Sequence, residues 1–209
     1  MNLVFFGPPG AGKGTIAARI SVERGIPHIS SGGLFRDAVK AGTELGEKVQ
    51  SVIDQGSLVP DEITIALVRE RLDVPDAATG FILDGFPRTV VQVKALAEFA
   101  RIDAVVNLLI QDDMVIARLT GRRICSQCGL NYNIKFLPPQ KAGICDSCGG
   151  TLIQRDDDVE SAIMHRLGVY REQSEPLIEY YRERNLLRDV DATLLPDNVY
   201  WAVVEMLSD

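Results

Sequence analysis

The stretch LVFFGPPGAGKGT, residues 3–15, decides the fold because it joins a strand pattern to a glycine-rich loop and the start of a helix. Its first four residues form an apolar run, which is typical of a strand buried on both faces of a parallel sheet. The loop fits G-x-x-x-x-G-K-[ST] with one additional residue, Gly14, between Lys13 and Thr15. Backbone N–H groups of such a loop, and the positive end of the following helix, surround phosphate oxygens. Lys13 supplies a mobile charge, and Thr15 can lie near phosphate or Mg²⁺.

Further apolar runs recur along the chain with helical patterns between them. They cover residues 27–30, 80–84, 104–110 and 186–191. Alternating strands and helices indicate an α/β protein whose parallel sheet carries helices on both faces. Together with residues 3–6, these runs predict a parallel sheet of five strands.

Two segments interrupt this alternation. Residues 31–59, here called the first insertion, are helical in pattern and contain no strand candidate. Residues 122–158, here called the lid segment, contain all the cysteines and lack helical periodicity. The remaining residues, 1–30, 60–121 and 159–209, are predicted to form the core.

Composition and charge restrict the class of protein. The chain has 209 residues, of which 46% are hydrophobic and 24% charged, and its formal net charge is -7. An acidic balance argues against a nucleic-acid binder, which usually has a basic excess. No apolar run approaches the roughly 20 residues that span a bilayer, and the N-terminus lacks a basic targeting region. We therefore expect a cytoplasmic protein with reduced cysteines and no membrane or nucleic-acid partner.

A carboxylate and several side chains at helical spacing accompany the phosphate loop. Asp84 ends an apolar strand, where it would meet the metal side of a nucleotide. Arg88 and Gln92 are four residues apart in a helical pattern, which predicts that they share one helix face. The same spacing predicts a shared face for Arg118 and Arg122. An arginine suits a phosphate, and the amide of Gln92 can pair with the edge of a base.

The four cysteines have metal-ligand spacing. Cys125, Cys128, Cys145 and Cys148 follow the pattern C-x₂-C-x₁₆-C-x₂-C, which indicates a four-thiolate site. Four protein ligands leave no open position, so the metal is predicted to be structural Zn²⁺. Iron uses similar spacing and is an alternative, and two disulfides are a further, weaker one. A segment this short builds little hydrophobic core, so a metal would stabilise it.

The order and identity of these motifs resemble adenylate kinases over nearly the whole chain. The resemblance is carried by GPPGAGKGT, IPHISSGGLFRDAV, GSLVPDEI, GFILDGFPRT, ARLTGRR, LNYNIKFLPP and RDDDVESAIMHRL. It implies a reversible, Mg²⁺-dependent transfer of phosphate from ATP to AMP that gives two ADP. It also implies that the five-stranded core has the P-loop kinase fold, that the first insertion is the AMP-binding (NMP-binding) part and that the lid segment is a zinc-binding lid. The protein would be a monomer.

The resemblance also implies the role of individual residues. ATP would be bound by Gly10, Ala11, Gly12, Lys13, Gly14, Thr15, Arg118, Arg122, Tyr132, Asn133 and Leu195. AMP would be bound by Ser31, Arg36, Ser57, Leu58, Val59, Gly85, Phe86, Pro87, Arg88, Gln92, Arg155 and Arg166. The catalytic residues would be Lys13, Asp84, Arg88, Arg122, Arg155 and Arg166, with Asp84 holding the hydration shell of Mg²⁺.

Two other functions compete with this interpretation. A related nucleoside monophosphate kinase would use UMP, CMP or GMP as its acceptor, whereas Gln92 and the long lid segment favour adenylate. A nucleotide-binding module whose zinc ribbon contacts nucleic acid is the second, and the acidic balance argues against it.

Overall fold

The apolar runs form one parallel sheet in a computed structural model, which describes residues 1–207. Ser208 and Asp209, which end the predicted core segment 159–209, lie outside the described residues. The strands of residues 1–207 are β1 (Asn2–Phe6), β2 (His28–Ser30), β3 (Phe81–Asp84), β4 (Ala104–Leu109), β5 (Arg122–Cys125), β6 (Asn131–Asn133), β7 (Leu152–Ile153) and β8 (Leu187–Asp191). Five of them pair in parallel in the order β2-β3-β1-β4-β8, so the predicted five-stranded parallel sheet is confirmed.

Helices connect the strands and cover the sheet. Over the described residues they are α1 (Lys13–Arg24), α2 (Ser31–Lys40), α3 (Glu44–Asp54), α4 (Asp61–Leu72), α5 (Val90–Phe99), α6 (Asp112–Thr120), α7 (Glu160–Val169), α8 (Pro176–Arg182) and α9 (Pro196–Met206). Short 3₁₀ turns occur at Pro75–Ala77 and Asp156–Asp158, and a π-helical turn at Tyr170–Ser174 joins α7 to α8. Within residues 1–207, no helix combines the length and apolar character that crossing a bilayer needs.

The central strand β1 shows why helices are required on both faces. Leu3 and Phe5 point to one side, into a core that α1 and α9 complete. Val4 and Phe6 point to the other side, into a core with α4, α5 and α8. All four side chains are at most 4% exposed. Burying each contributes about 1.5–3 kcal/mol, so exposure of either face would be strongly unfavourable.

The strand order places the candidate site at one edge of the sheet. β1 lies between β3 and β4, and Phe5 is in register with Asp84. Asp84 is in register with Ser30 on its other side. The loops that follow these parallel strands therefore meet at their carboxyl ends, which is where open α/β sheets bind ligands.

The first insertion contains the helix pair α2 and α3. Their apolar sides share a small core around Phe35, Val49 and Val59. Thr43 begins α3 by accepting a hydrogen bond from the backbone N–H of Gly46 at 3.1 Å. A Cβ at Gly46 would lie 2.3 Å from the carbonyl oxygen of Ala38, so only glycine lets the two helices pack this closely.

The lid segment is a small antiparallel sheet in the order β6-β5-β7. Its buried side chains are Cys125, Tyr132 and Cys145, against which Leu152 packs. So small an apolar cluster stabilises a sheet only weakly.

Two sequence-based predictions about helix faces are wrong. Helix α5 begins at Val90, because the Thr89 hydroxyl caps it by accepting a hydrogen bond from the Gln92 N–H at 3.2 Å. Arg88 therefore precedes the helix instead of sharing a face with Gln92. Helix α6 ends at Thr120, and the next residues enter β5, where Arg122 pairs with Asn133. Arg122 thus lies on a strand, and Arg118 alone is on the helix.

Candidate active site

The phosphate loop connects β1 to α1 and curls around the Lys13 side chain. Gly7, Gly10 and Gly12 all have positive φ angles. At Gly10 a Cβ would lie 2.8 Å from Cγ of Leu119, so glycine is required there. The Lys13 ammonium donates hydrogen bonds to the carbonyl oxygens of Gly7 at 2.7 Å and Pro8 at 2.8 Å. The positive charge is thereby held at the mouth of the loop.

The surroundings of Lys13 lower the pKa of its ammonium group. Burial is the main cause that lowers the pKa of its ammonium to about 8. The carboxylate of Asp84 raises this pKa, while the charges of Arg88, Arg166 and Arg122 lower it further. These arginines therefore act on the same space as Lys13. Mutual repulsion in a group of partly buried positive charges is relieved by a bound anion, which makes the loop suited to phosphate.

Asp84 ends β3 beside the phosphate loop. Its Oδ2 lies 3.3 Å from Nε2 of His28 on the neighbouring strand β2. Burial on its own would raise the pKa of Asp84, but the hydrogen bond with His28 and the charges of Lys13, His28 and Arg88 together lower it. An ionised carboxylate at this position can hold the water shell of a hard cation such as Mg²⁺. His28 is not among the predicted site residues, although it lies in the strand candidate at residues 27–30.

A cavity separates the first insertion from the ends of β3 and α5. It is lined by Ser31, Gly32, Phe35, Arg36, Ile53, Gly56, Ser57, Leu58, Val59, Thr64, Gly85, Arg88, Gln92, Arg155, Asp157 and Arg166. Every residue predicted to bind AMP is in this lining except Phe86 and Pro87, which are buried beneath it. The cavity therefore collects residues from distant parts of the sequence around one space.

Polar contacts already fix several side chains of this cavity. The Ser31 hydroxyl donates to the carbonyl oxygen of Gly85 at 2.7 Å, and Nε of Arg88 donates to the same oxygen at 2.7 Å. Burial, followed by the charge of Arg155, lowers the pKa of Arg36 to about 9, so its guanidinium is charged at neutral pH. The cavity thus offers at least two partly buried arginines to an anionic ligand.

Three of the predicted catalytic arginines are paired with two aspartates that the sequence predictions did not include. Arg122 forms two hydrogen bonds with Asp158, and Arg155 forms two with Asp157. Arg166 contacts both aspartates, at 3.0 Å and 3.4 Å. Both aspartates are buried. They hold the guanidinium groups in place, and the run RDDD directly after the lid strands was the available signal.

The two insertions contact residues across the cleft. The Lys40 ammonium of the first insertion is 3.5 Å from the carbonyl oxygen of Ser126 in the lid segment. The Ser57 hydroxyl lies 3.0 Å from Nε2 of His165 on α7. The first insertion therefore contacts both the lid segment and α7 in this structure.

Residues predicted to bind ATP fall into two groups by position. Gly10, Ala11, Gly12, Lys13, Gly14 and Thr15 lie in the phosphate loop and the first turn of α1. Arg118 is beside them, donating to the carbonyl oxygens of Ala11 at 3.3 Å and Leu194 at 3.4 Å. Leu195 follows and is 67% exposed. The loop, Arg118 and the chain before α9 therefore border one surface.

Asn133 and Tyr132 are in the lid segment, and their side chains contact protein atoms. The Asn133 amide donates to the carbonyl oxygen of Arg118 at 2.8 Å and accepts from the backbone of Lys135 and Phe136. The Tyr132 hydroxyl accepts from the N–H of Asp146 at 2.7 Å and lies 3.5 Å from Sγ of Cys145. Tyr132 is 6% exposed, so its ring belongs to the interior of the lid segment.

The four cysteines converge on one point. Their sulfur atoms all lie within 4.8 Å of one another, and the pairs Cys125–Cys148 and Cys128–Cys145 are 3.4 and 3.6 Å apart. These distances are too long for disulfide bonds. A zinc ion with four sulfur ligands at about 2.3 Å places the sulfurs about 3.8 Å apart, so the arrangement fits a tetrahedral ion. The glycines after each pair, Gly129 and Gly149, have φ angles of +74° that close the turns.

Comparison with known proteins agrees with this geometry. The family model described as "Adenylate kinase" matches residues 5–186. An adenylate kinase of Treponema denticola is 56% identical over 192 residues, which is 92% of each chain. One from Archaeoglobus fulgidus is 50% identical and aligns with 99% of this chain and 97% of its own. One from Clostridium tetani is 46% identical, with 99% and 98% covered.

Proposed function

The chain belongs to the adenylate kinase family, and from this premise we propose that its cleft transfers the terminal phosphoryl group of ATP to AMP, reversibly, to give two ADP. The observation that carries the proposal is that the same arginines act on both the cavity and the phosphate loop. Arg88 and Arg166 line the cavity assigned to AMP, and their charges also lower the pKa of Lys13 in the phosphate loop. A donor phosphate at Lys13 and an acceptor phosphate in the cavity would therefore meet at the same guanidinium groups.

Charge and alignment carry the chemistry in this proposal. The acceptor is a phosphate oxygen that is already anionic at neutral pH, so the transfer needs no general base. Lys13, Arg88 and Arg122 neutralise the charge that spreads over the transferred group, and Arg155 and Arg166 orient the acceptor. Because Asp157 and Asp158 preorganise Arg122, Arg155 and Arg166, these three side chains need little reorganisation when the nucleotides bind.

Asp84 is the residue proposed to hold Mg²⁺ through its water shell, with Thr15 near the phosphates. Magnesium bound with ATP neutralises part of the charge on the β- and γ-phosphates. The lowered pKa of Asp84 supports this role, because the carboxylate stays ionised at neutral pH.

The proposed division of labour follows the three parts of the chain. Residues 31–59 bind AMP, residues 122–158 form a zinc-binding lid, and residues 1–30, 60–121 and 159–209 form the core. Separate apolar clusters in the first insertion and in the lid segment support the division. The cytoplasmic location and the monomeric state stay predictions.

Phosphorus NMR tests the proposal directly. The protein is mixed with Mg-ATP and, in separate tubes, with AMP, UMP, CMP or GMP. We expect ADP to form rapidly with AMP alone, and Lys13→Ala to lose about 10²–10³-fold in rate because one charged donor to the transition state is gone. Turnover with another acceptor would support the same mechanism but show that the acceptor is not AMP. Absence of transfer with every acceptor would overturn the proposal.

A further inference from the structure

Asp61 is the first residue of α4, and neither the phosphate loop nor the arginine cluster explains its contacts. Its Oδ1 accepts two hydrogen bonds, from the Thr89 hydroxyl at 3.0 Å and from Nε2 of Gln92 at 2.8 Å. The Gln92 side chain is 2% exposed and borders the cavity assigned to AMP. A carboxylate on one helix therefore binds the side chain predicted to read the base from another helix.

The partners of Gln92 determine which end of its amide is oxygen and which is nitrogen. Oε1 accepts from the backbone N–H of Arg88 at 2.7 Å, and Nε2 donates to Asp61 at 2.8 Å. In the flipped orientation, the NH₂ group would face the N–H of Arg88 and the oxygen would face the carboxylate of Asp61. Both contacts would then be repulsive, so the amide has a single favourable orientation.

A third contact closes this network. The Thr89 hydroxyl accepts from the backbone N–H of Gln92 at 3.2 Å while it donates to Asp61. Asp61 is thus coupled to the start of α5 as well as to the amide. The backbone and the side chain of Gln92 are fixed relative to the same carboxylate.

The locked amide has one lone pair on Oε1 and one proton on Nε2 left for a ligand. Their order along the cavity wall is fixed. An adenine ring presents a donor at its 6-position and an acceptor at N1, whereas a hypoxanthine ring presents an acceptor at the 6-position and a donor at N1. One fixed order of donor and acceptor therefore matches only one of these edges in a given pose.

We propose that Asp61 is a specificity-determining residue, which locks the Gln92 amide in the order that matches the edge of a 6-aminopurine and rejects that of a 6-oxopurine. The inference rests on the proposed function, because it assigns the base of the acceptor nucleotide to Gln92. Asp61 contacts no reacting atom and acts through the amide that it orients.

The test compares AMP with IMP as acceptors. IMP has the same ribose and phosphate and differs at the 6-position and N1. In Asp61→Ala the amide keeps its contact with Arg88 and loses its contact with the carboxylate. We expect the ratio of kcat/KM for AMP to that for IMP to fall about tenfold, the effect of losing one hydrogen bond to a charged group. Most of the change should be in KM.

Three further variants separate selectivity from folding. Asp61→Asn keeps an acceptor oxygen but loses the charge, so its ratio should lie between those of the wild type and Asp61→Ala. Asp61→Ser keeps a polar residue in the first turn of α4, but its hydroxyl is too short to reach Gln92, so it serves if Asp61→Ala does not fold. Glu62→Ala removes an exposed carboxylate from the same turn and should leave the ratio unchanged.

The outcomes distinguish this inference from the proposed function. Wild-type protein that transfers no phosphate to AMP defeats the proposed function, and the inference with it. Wild-type protein that uses AMP, together with a folded Asp61→Ala or Asp61→Ser variant whose AMP-to-IMP ratio is unchanged, defeats the inference alone. An equal fall in the ratio for Glu62→Ala would likewise overturn it.

Discussion

Arg122 and Asp158, the first and last residues of the lid segment, are tied together by two hydrogen bonds, Nε to Oδ2 at 2.7 Å and Nη2 to Oδ1 at 2.5 Å. The Asp158 side chain is fully buried, and that of Arg122 is 18% exposed. A charge predicted to act on phosphate is thus held by a carboxylate at the opposite end of the same segment.

Replacing Asp158 by alanine is expected to destabilise the protein. The change leaves Arg122 without its two-point partner, and breaking a buried pair costs about 3 kcal/mol at the low end of the usual range. A chain of this length would then melt about 6–12 °C lower, which thermal denaturation followed by circular dichroism measures. Asp156→Ala, which removes the exposed carboxylate of the same turn, is the matched control. Equal melting temperatures for the two variants would contradict the prediction.

The lowered pKa of Lys13 predicts that ATP binding weakens in mild alkali. Folding lowers the pKa of Lys13 from 10.5 to about 8. Between pH 8 and pH 10.5, Lys13 is therefore mostly deprotonated in the nucleotide-free folded protein and mostly protonated in the unfolded chain. The group therefore disfavours the folded state below pH 8, and this penalty fades as the pH rises to 10.5. Bound phosphate restores the charge, so binding above pH 8 requires uptake of a proton.

Calorimetry in buffers of different ionisation enthalpy measures that proton. We expect nearly none to be taken up at pH 6.5, close to one at pH 9, and a Kd for ATP about tenfold weaker at pH 9 than at pH 7. Lys13→Arg keeps its charge over this range and is the control. The same proton uptake in that variant would show that another group is responsible.

Removal of metal from the four-cysteine cluster is expected to lower the melting temperature by at least about 5 °C, roughly 2 kcal/mol. The lid segment has little apolar core of its own, so its sheet depends on the cross-link between the two cysteine turns. Adding zinc back should restore the original melting temperature, and adding magnesium should not. Elemental analysis should find one zinc per chain, whereas a coloured protein containing iron would identify the alternative metal. An unchanged melt after proven metal loss would refute the stabilising role.

The position of Tyr132 inside the lid segment predicts that its hydroxyl supports the four-cysteine cluster and does not bind ATP. Tyr132→Phe removes the group that accepts from Asp146 and contacts Cys145. We expect zinc to transfer to a colorimetric chelator about tenfold faster, as for other groups that support metal ligands. The KM for ATP should change by less than about twofold. A raised KM with unchanged metal release would instead support the sequence prediction that Tyr132 contacts ATP.

The features of the fold and the site that depend on local sequence patterns could be predicted from the sequence. The apolar runs specified the strands, and because Asp84 ends one of them its place beside the phosphate loop followed from parallel topology. The convergence of the cysteines followed from their spacing in the same way. These features depend on periodicity and on short sequence distances, which a single sequence displays.

Contacts between distant residues could not be predicted in this way. The interpretation of Arg122 as helical failed because strand pairing with Asn133 begins directly after α6, and spacing alone does not reveal where a helix stops. Asp61 gave no signal in an acidic chain, since exposed and buried carboxylates look alike in sequence. The run RDDD marked Asp158 without revealing its partner. Their importance depends on partners that are 31 and 36 residues away.

The bond between Arg122 and Asp158 also determines how the lid segment is attached. Because its two ends meet, the segment enters and leaves the core at one place, and the order of strands in the parallel sheet does not depend on what lies between. An unrelated small domain whose termini are adjacent could replace the residues between Arg122 and Arg155, with both arginines and Asp158 retained. The core of the enzyme can thus stay constant while the inserted domain is exchanged. For protein engineering, the junction is the position at which to graft a sensor domain whose own conformational change would regulate access to the active site.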